Sequence, residues 1–294
     1  MIKNTINKKA SLFNRRTRKN KLNIMFDKSQ ICGKNSDEKI VSLVIFIFVL
    51  ITIYTLFVRT EYKWNTVNLN LAKETLKKFF QVQTVSHELK IKMVRSLINT
   101  VALGFLSTLF GFCVGLIVSI FAARNITMLA VSNIIRVFAG LIRAVPTIIW
   151  VLIFVAGYGL SATTAVVGMF FHTLAFFIRA LAESFEEVDK DTIEALMAAG
   201  ASKMQIIFGA VIPSALTKII SWFALRFEQN FGTAVIIGPA VGVPGTIGTM
   251  INNASRTGDY SSLGFGVFLI FITALILELM MNKIRQKNIV SWEF

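Results

Sequence analysis

Residues 40–58 run from Ile40 to Val58 through a stretch rich in Val, Ile, Leu and Phe that carries no charge. As a helix rising 1.5 Å per residue this run is about 28 Å long, close to the ~30 Å hydrocarbon core of a bilayer. It is too long for the apolar region of a secretory signal, it starts too late, and no A-x-A cleavage pattern follows it. It therefore reads as a retained span. Five more apolar stretches follow, at 96–123, 131–156, 162–180, 213–237 and 262–281, the second of them interrupted by Arg143 and Pro146. Apolar residues make up 54% of the chain and charged residues 16%, where a soluble domain carries about 25% charged residues. A bilayer span must satisfy its backbone internally, and these runs are helix-length rather than barrel-strand length. The expected fold is an all-α polytopic membrane protein with six transmembrane helices.

The net charge of +15 is placed unevenly. Residues 1–39 form a tail with Lys8, Lys9, Arg15, Arg16, Arg18, Lys19 and Lys21. Arg124 and Arg136 follow the second span, and Lys283, Arg285 and Lys287 follow the last. Cytoplasmic segments of membrane proteins carry this excess, so both termini are expected inside a bacterial cytoplasmic membrane, with 284–294 as a cytoplasmic tail. The charge needs no nucleic-acid partner to explain it. Residues 59–95 are then an extracytoplasmic connector, although this segment too is net positive. Within it Leu69, Ala72, Leu76, Phe79 and Phe80 have the spacing of one amphipathic helix suited to a membrane surface. Cys32 and Cys113 are expected to be free thiols.

The chemistry concentrates in residues 179–212, the long inter-span segment with a net acidic charge. Phe185, Val188, Thr192 and Leu196 fit one helical face, and Met204, Ile207, Phe208 and Val211 fit another. Asp191 with Glu194, and Ser202 with Gln205, have capping-box spacing. Gly200 between them suits a chain reversal, and Pro213 suits the first turn of the next helix. Two short helices joined at Gly200 are predicted to feed a span.

The residues Glu194-Ala195, then Gly200, then Pro213 resemble the EAA motif of bacterial ABC importer permeases. Leu196 stands at the second Ala of that pattern, Ala210 at its Ile and Ile212 at its Leu. The resemblance implies a MetI-like ABC importer permease core over 96–283, with 183–212 as a cytoplasmic coupling-helix hairpin. Glu194, Ala195, Ala198, Ala199 and Gly200 would dock on a pair of ABC ATPase subunits. This chain has no G-x-x-x-x-G-K-[ST] phosphate loop, and Gly33-Lys34 lacks the upstream glycine. ATP and Mg would be used by the partner, with no cofactor bound by this chain. The resemblance also implies an extracytoplasmic substrate-binding protein and a second permease copy or paralogue.

Further stretches are similar to the permease of phosphonate-type importers. These are Ser96-Leu97-Ile98-Asn99-Thr100, Ala122-Ala123-Arg124-Asn125, Arg143-Ala144-Val145-Pro146-Thr147, His172-Thr173, Glu186-Glu187-Val188-Asp189, and Arg226-Phe227-Glu228 with Asn230. In that subfamily a basic residue would stand at Gly232, and a Gly-Ala-Gly-Gly-Ile-Gly run where Val243-Pro244-Gly245-Thr246-Ile247-Gly248 stands.

Ionisable residues inside spans are costly and mark functional candidates. Arg226 and Glu228 lie about 200° apart around a helix, whereas Arg226 and Asn230 share a face. One face is expected to line a substrate path, the other to pair with a neighbouring span through Arg143. Arg226 toward the path suits an oxyanion, because a guanidinium offers forked donors to phosphoryl oxygens. The bland alternative makes both residues members of structural ion pairs. Pro146 marks a kink or a gate. His172 and His87 lack metal-spaced partners and are expected to be hydrogen-bonded packing residues. Gly238, Gly242, Gly245 and Gly248 suggest close helix packing or a gate loop. No catalytic constellation is present, and no metal site is expected. The function expected is an ATP-driven importer permease moving phosphonate or a related small phosphorus oxyanion. The alternatives are another small nutrient as cargo, or a membrane scaffold with no path.

Overall fold

The computed structural model describes residues 36–59 and 68–290. The basic residues of the N-terminal tail, Cys32 and Gly33-Lys34 lie outside the described residues, as do 60–67 of the connector. The chain divides into two compact units, Met1–Asn68 and Leu69–Phe294. The first holds α1 (Ser36–Tyr54), which ends in a π-helical turn, Thr55–Arg59. Its apolar side chains are exposed on every side, as expected of a helix whose solvent is lipid. Thr52 and Thr55 donate their hydroxyls back to the Phe48 and Ile51 carbonyls at 2.8 and 2.9 Å, so neither needs water.

The second unit opens with the amphipathic α2 (Leu69–Phe79) and a 3-10 turn, Val82–Thr84. Ser86 then caps α3 (His87–Ala122), accepting from the Leu89 N–H. This helix begins upstream of the expected span at Ser96, so part of the expected connector is helix.

After a short turn come α4 (Leu129–Ala144) and α5 (Thr147–Tyr158), bent by 84° from each other. The interruption expected at Arg143 and Pro146 within 131–156 is this break. The residue before a proline avoids the α region, and Val145 is extended, at φ −89 and ψ 122. Pro146 becomes the N-cap residue of α5. The break leaves carbonyls at the end of α4 without helical partners. The Trp150 indole N–H reaches the Ile142 carbonyl at 3.1 Å.

The central element is α6 (Ala162–Glu186), most buried of the spans. It packs along α3 through small residues. A Cβ on Gly111 would stand 2.6 Å from Thr173 Cγ2, and one on Gly115 2.6 Å from Phe177 Cβ. Small residues let helix backbones approach where lipid supplies no hydrophobic drive. Phe112, Phe177 and Phe223 close the core beside this contact.

Helix α7 (Lys190–Ala198) and the short α8 (Lys203–Ile206) form the hairpin. Through a π turn, Ile207–Val211, α8 runs without a break into α9 (Ile212–Val241). Pro213 takes a carbonyl's partner away from an α ladder, and the π turn is where the ladder absorbs it. Finally α10 (Ile247–Thr257) leads to α11 (Tyr260–Val290). Of the glycine-rich segment, Gly238 and Gly248 serve packing, a Cβ on Gly248 standing 1.9 Å from the Val235 carbonyl oxygen, whereas Gly242 and Gly245 serve the turn with φ +85 and +72. Helix α2 docks on α11 in the same way, since a Cβ on Gly264 would stand 1.9 Å from the Phe79 carbonyl oxygen. Among the described residues five helices are long and apolar enough to cross a membrane, and the bent α4–α5 pair is the sixth candidate. No strand occurs among the described residues.

Candidate functional site

Two polar regions interrupt the apolar bundle, one between spans and one at the hairpin.

The first lies where α3, α6 and α9 meet. Arg226 on α9 is 6% exposed and Asn230, one turn on, is 1% exposed. Both face α6, as the helical period requires. The guanidinium donates to Thr173 Oγ1 from Nε at 3.4 Å and from Nη2 at 3.2 Å, and to Gln229 Oε1 at 3.2 Å. Nη2 also meets His172 Nδ1 at 2.8 Å. Arginine can only donate, so the imidazole accepts there and carries its proton on Nε2. The charge lies over the Phe176 ring, 5.1 Å from its centroid. Asn230 Nδ2 donates to Thr173 Oγ1 at 2.9 Å and to Thr108 Oγ1 at 2.8 Å. Thr108 passes its own proton to the Gly104 carbonyl at 2.6 Å.

No carboxylate joins this cluster. Among the described residues the ion pairs are Arg136–Glu186, Arg179–Glu183 and Lys218–Glu187. The expected pairing of Glu228 or Arg226 with Arg143 is therefore corrected, and so is the reading of both as structural ion-pair members. Glu228 is half-buried on the other side of α9, and Arg143 is exposed in the last turn of α4. The break at Pro146 ends α4 just after Arg143. Sequence reasoning found Arg226 and Asn230 but missed Thr108 and the central role of Thr173. A threonine in an apolar span reads as a residue bonded to its own helix, and only the convergence of three helices reveals more.

The second region is the hairpin. The expected cap at Asp191 is corrected: Asp189 caps α7, accepting from the Asp191 N–H at 3.1 Å. The Ser202–Gln205 capping box is present. Gly200 has φ +85. Its N–H bonds the Met197 carbonyl and the Ala201 N–H bonds the Leu196 carbonyl, both at 3.0 Å, the pattern of a Schellman stop. The expected face through Phe185, Val188, Thr192 and Leu196 does not exist as one helix, because α6 ends at Glu186 and α7 begins at Lys190. The second expected face is also redrawn: Ile207 and Val211 are buried, but Met204 and Phe208 are 65% and 63% exposed. Glu194, Ala195, Ala198, Ala199 and Gly200 are all exposed and Ile193 is buried; Glu194 lines a cavity of about 460 Å³ together with Arg124, Asn125, Glu186 and Met197. Glu194 has no hydrogen bond or ion pair among the described residues.

A bundle of closely packed spans with an uncompensated cation between them, and a small-residue hairpin rooted directly in two of them, is the architecture of a polytopic permease. A family model described as the binding-protein-dependent transport system inner membrane component matches residues 89–287, and the chain belongs to that family. It is 29% identical over 194 residues to the phosphite transport system permease protein PtxC of Stutzerimonas stutzeri, covering 66% of this chain and 70% of that one. It is 28% identical over 190 residues to the phosphate-import permease protein PhnE of Mycolicibacterium smegmatis, covering 64% of this chain and 35% of that longer one. In fold it is similar to a chain of the MetNI methionine ABC transporter in an inward-facing conformation, with a TM-score of 0.62 at 23% identity, covering 69% of this chain and 99% of that chain.

Proposed function

We propose that this chain is the transmembrane permease subunit of an ATP-driven importer for phosphonate or a related small phosphorus oxyanion. The observation that carries the cargo class is Arg226, a buried cation whose bonded partners are all neutral. A cation held this way costs free energy in a span unless an anion visits it. Thr173 and His172 aim the guanidinium from one side, and Gln229 connects it to the exposed surface of α9. Arg143, free on α4, adds a second positive charge. Permeases of similar sequence include ones named for phosphite, phosphate and phosphonate, and others named for D-methionine.

The hairpin, with Glu194, Ala195, Ala198, Ala199 and Gly200 exposed, is the docking surface for a pair of cytoplasmic ATPases that bind ATP and Mg. Small side chains admit a partner closely, and the unpaired Glu194 carboxylate is free to meet a basic group on it. An extracytoplasmic binding protein delivers cargo at the opposite end, and a second permease copy or paralogue encloses the path. Pro146 sets the bend that presents Arg143. Both termini lie in the cytoplasm in this arrangement.

The test is uptake in vesicles containing the full complex, with radiolabelled phosphite, a simple alkylphosphonate, phosphate and methionine offered in turn. Uptake of a phosphorus oxyanion that falls by at least about tenfold in R226A, at normal complex yield, is the expected result; about 1.4 kcal/mol corresponds to each factor of ten. Methionine uptake alone, or R226A transport equal to the parent, overturns the cargo assignment.

A further inference from the structure

Two short stretches far apart in sequence, Ala122-Ala123-Arg124-Asn125 and Phe185-Glu186, meet at the root of the hairpin. Glu186 is the last residue of α6, immediately before the link to α7. Its Oε1 accepts the Arg124 backbone N–H at 2.6 Å and the Arg136 Nη2 at 2.7 Å. Arg136, on α4, uses its Nε to hold the Ala122 carbonyl at the end of α3, at 2.9 Å. Ser132, one turn earlier on α4, donates to the same carbonyl at 2.6 Å. Asn125 donates to the Phe185 carbonyl at 2.8 Å. Its own Oδ1 is left buried without a partner, an uncommon cost that the grip on Phe185 sustains. The Arg136 and Glu186 side chains are only 17% and 24% exposed, so solvent screens the pair little.

These contacts tie the ends of α3, α4 and α6 into one joint. Of the three, α4 carries that joint onward. From Arg136 it runs about 10 Å to Arg143, in its last turn before the break at Pro146. We infer that Glu186 is a positioning residue that makes the hairpin and α4 move as one body, so that displacement of the hairpin carries α4 and the break at Pro146 with it. The inference rests on the hairpin's being the surface that the ATPase moves. It adds the route by which that movement reaches the bundle on the side opposite the continuous α8–α9 helix. The joint adds a charged pair and backbone hydrogen bonds to the apolar packing of Ala122, Ala123 and Phe185. These directional bonds hold one geometry where apolar packing alone could slide.

The experiment uses the full complex in nanodiscs. Nitroxides are attached at M197C on α7 and L141C on α4, both exposed positions, in a C32S/C113S background. Spin–spin distances are recorded without nucleotide and with ATP plus vanadate. In the parent the distance stays narrow and unchanged between the two states. In E186A it broadens or shifts on ATP, and transported cargo per ATP falls about tenfold, the scale of an energetic coupling between sites. E186Q keeps an acceptor oxygen for both donors and recovers most of the narrow distribution, which a general loss of folding would not produce. If E186A does not assemble, R136K takes its place: it keeps the charge, loses one of two donors and gives an intermediate width. A distance distribution equal to the parent in E186A, or in R136K where that variant is used, overturns the inference. A parent distance that changes on ATP also overturns the inference, whereas an unchanged parent distance in a complex that transports no phosphorus oxyanion refutes the proposed cargo alone, because the distances read the joint directly.

Discussion

Thr173 decides the order of the buried polar cluster. One hydroxyl oxygen accepts from Arg226 and from Asn230, and its methyl group fills the space left by Gly111. Valine has nearly the same shape and no oxygen. T173V therefore leaves a guanidinium N–H and an amide N–H without partners in a closed site. Each unsatisfied buried group costs about 1–3 kcal/mol, more when charged. T173V is expected to lower the thermal unfolding midpoint of the purified complex and to reduce uptake together. T173S keeps the oxygen and loses only the methyl contact, so it should retain most uptake with a smaller loss of stability. Uptake by T173V equal to that of T173S would mean that the hydroxyl does not orient Arg226. The 3.6-residue period was enough to set Arg226 and Asn230 on one face. It carried no information about which neighbour they meet, because that depends on the depth at which α3, α6 and α9 cross. The expected pairing with a neighbouring span through Arg143 failed for that reason: the ion pairs among the described residues lie elsewhere.

At the scale of elements, the hairpin is held in shape by backbone devices that are readable in sequence. The Ser202–Gln205 box and the reversal at Gly200 both stand where local chemistry put them. A Cβ at Gly200 would meet nothing within 4 Å, so a side chain there pays only for the left-handed backbone. That strain is about 1–2 kcal/mol. G200A should weaken recovery of the ATPase subunits with the permease by about tenfold, measured by co-purification at matched expression, while the spans fold normally. Recovery equal to the parent would separate the reversal from docking. The apolar faces of the hairpin were much less legible. In a soluble helix an apolar stripe marks the core, but in lipid the exposed stripe is apolar too. Met204, Phe208 and Leu216 are apolar and exposed, while Ile207, Val211, Ala215 and Ile219 are apolar and buried. Composition cannot tell these two rows apart. The π turn adds a further shift of register that only Pro213 hints at.

At the scale of the molecule, function requires the two ends of the second unit to face different compartments. One end carries the α3–α4 turn, the root of α6 and the hairpin, joined through Glu186. The other carries the start of α3, the α9–α10 turn and α10, joined through Asn99 and Gly245 at 3.3 Å and through Thr100 and the Ile247 N–H at 3.0 Å. There a cavity of about 450 Å³ opens among residues that include Lys92, Ser96, Asn253 and Asp259. A docking surface for an ATPase has meaning only where ATP is, and a receiving surface for delivered cargo only on the opposite side. Arg124 and Arg136 fall at the hairpin end, the end that the proposed docking role puts in the cytoplasm. A single cysteine at each end, introduced in the C32S/C113S background, reads the arrangement directly. M197C on the hairpin should react with a membrane-impermeant maleimide in inverted vesicles and stay unmodified in intact spheroplasts. N253C at the other end should show the reverse. Modification of M197C from outside the cell would place the hairpin away from ATP. It would remove the docking surface and the route through Glu186 at once, while leaving the fold and the buried arginine as they are.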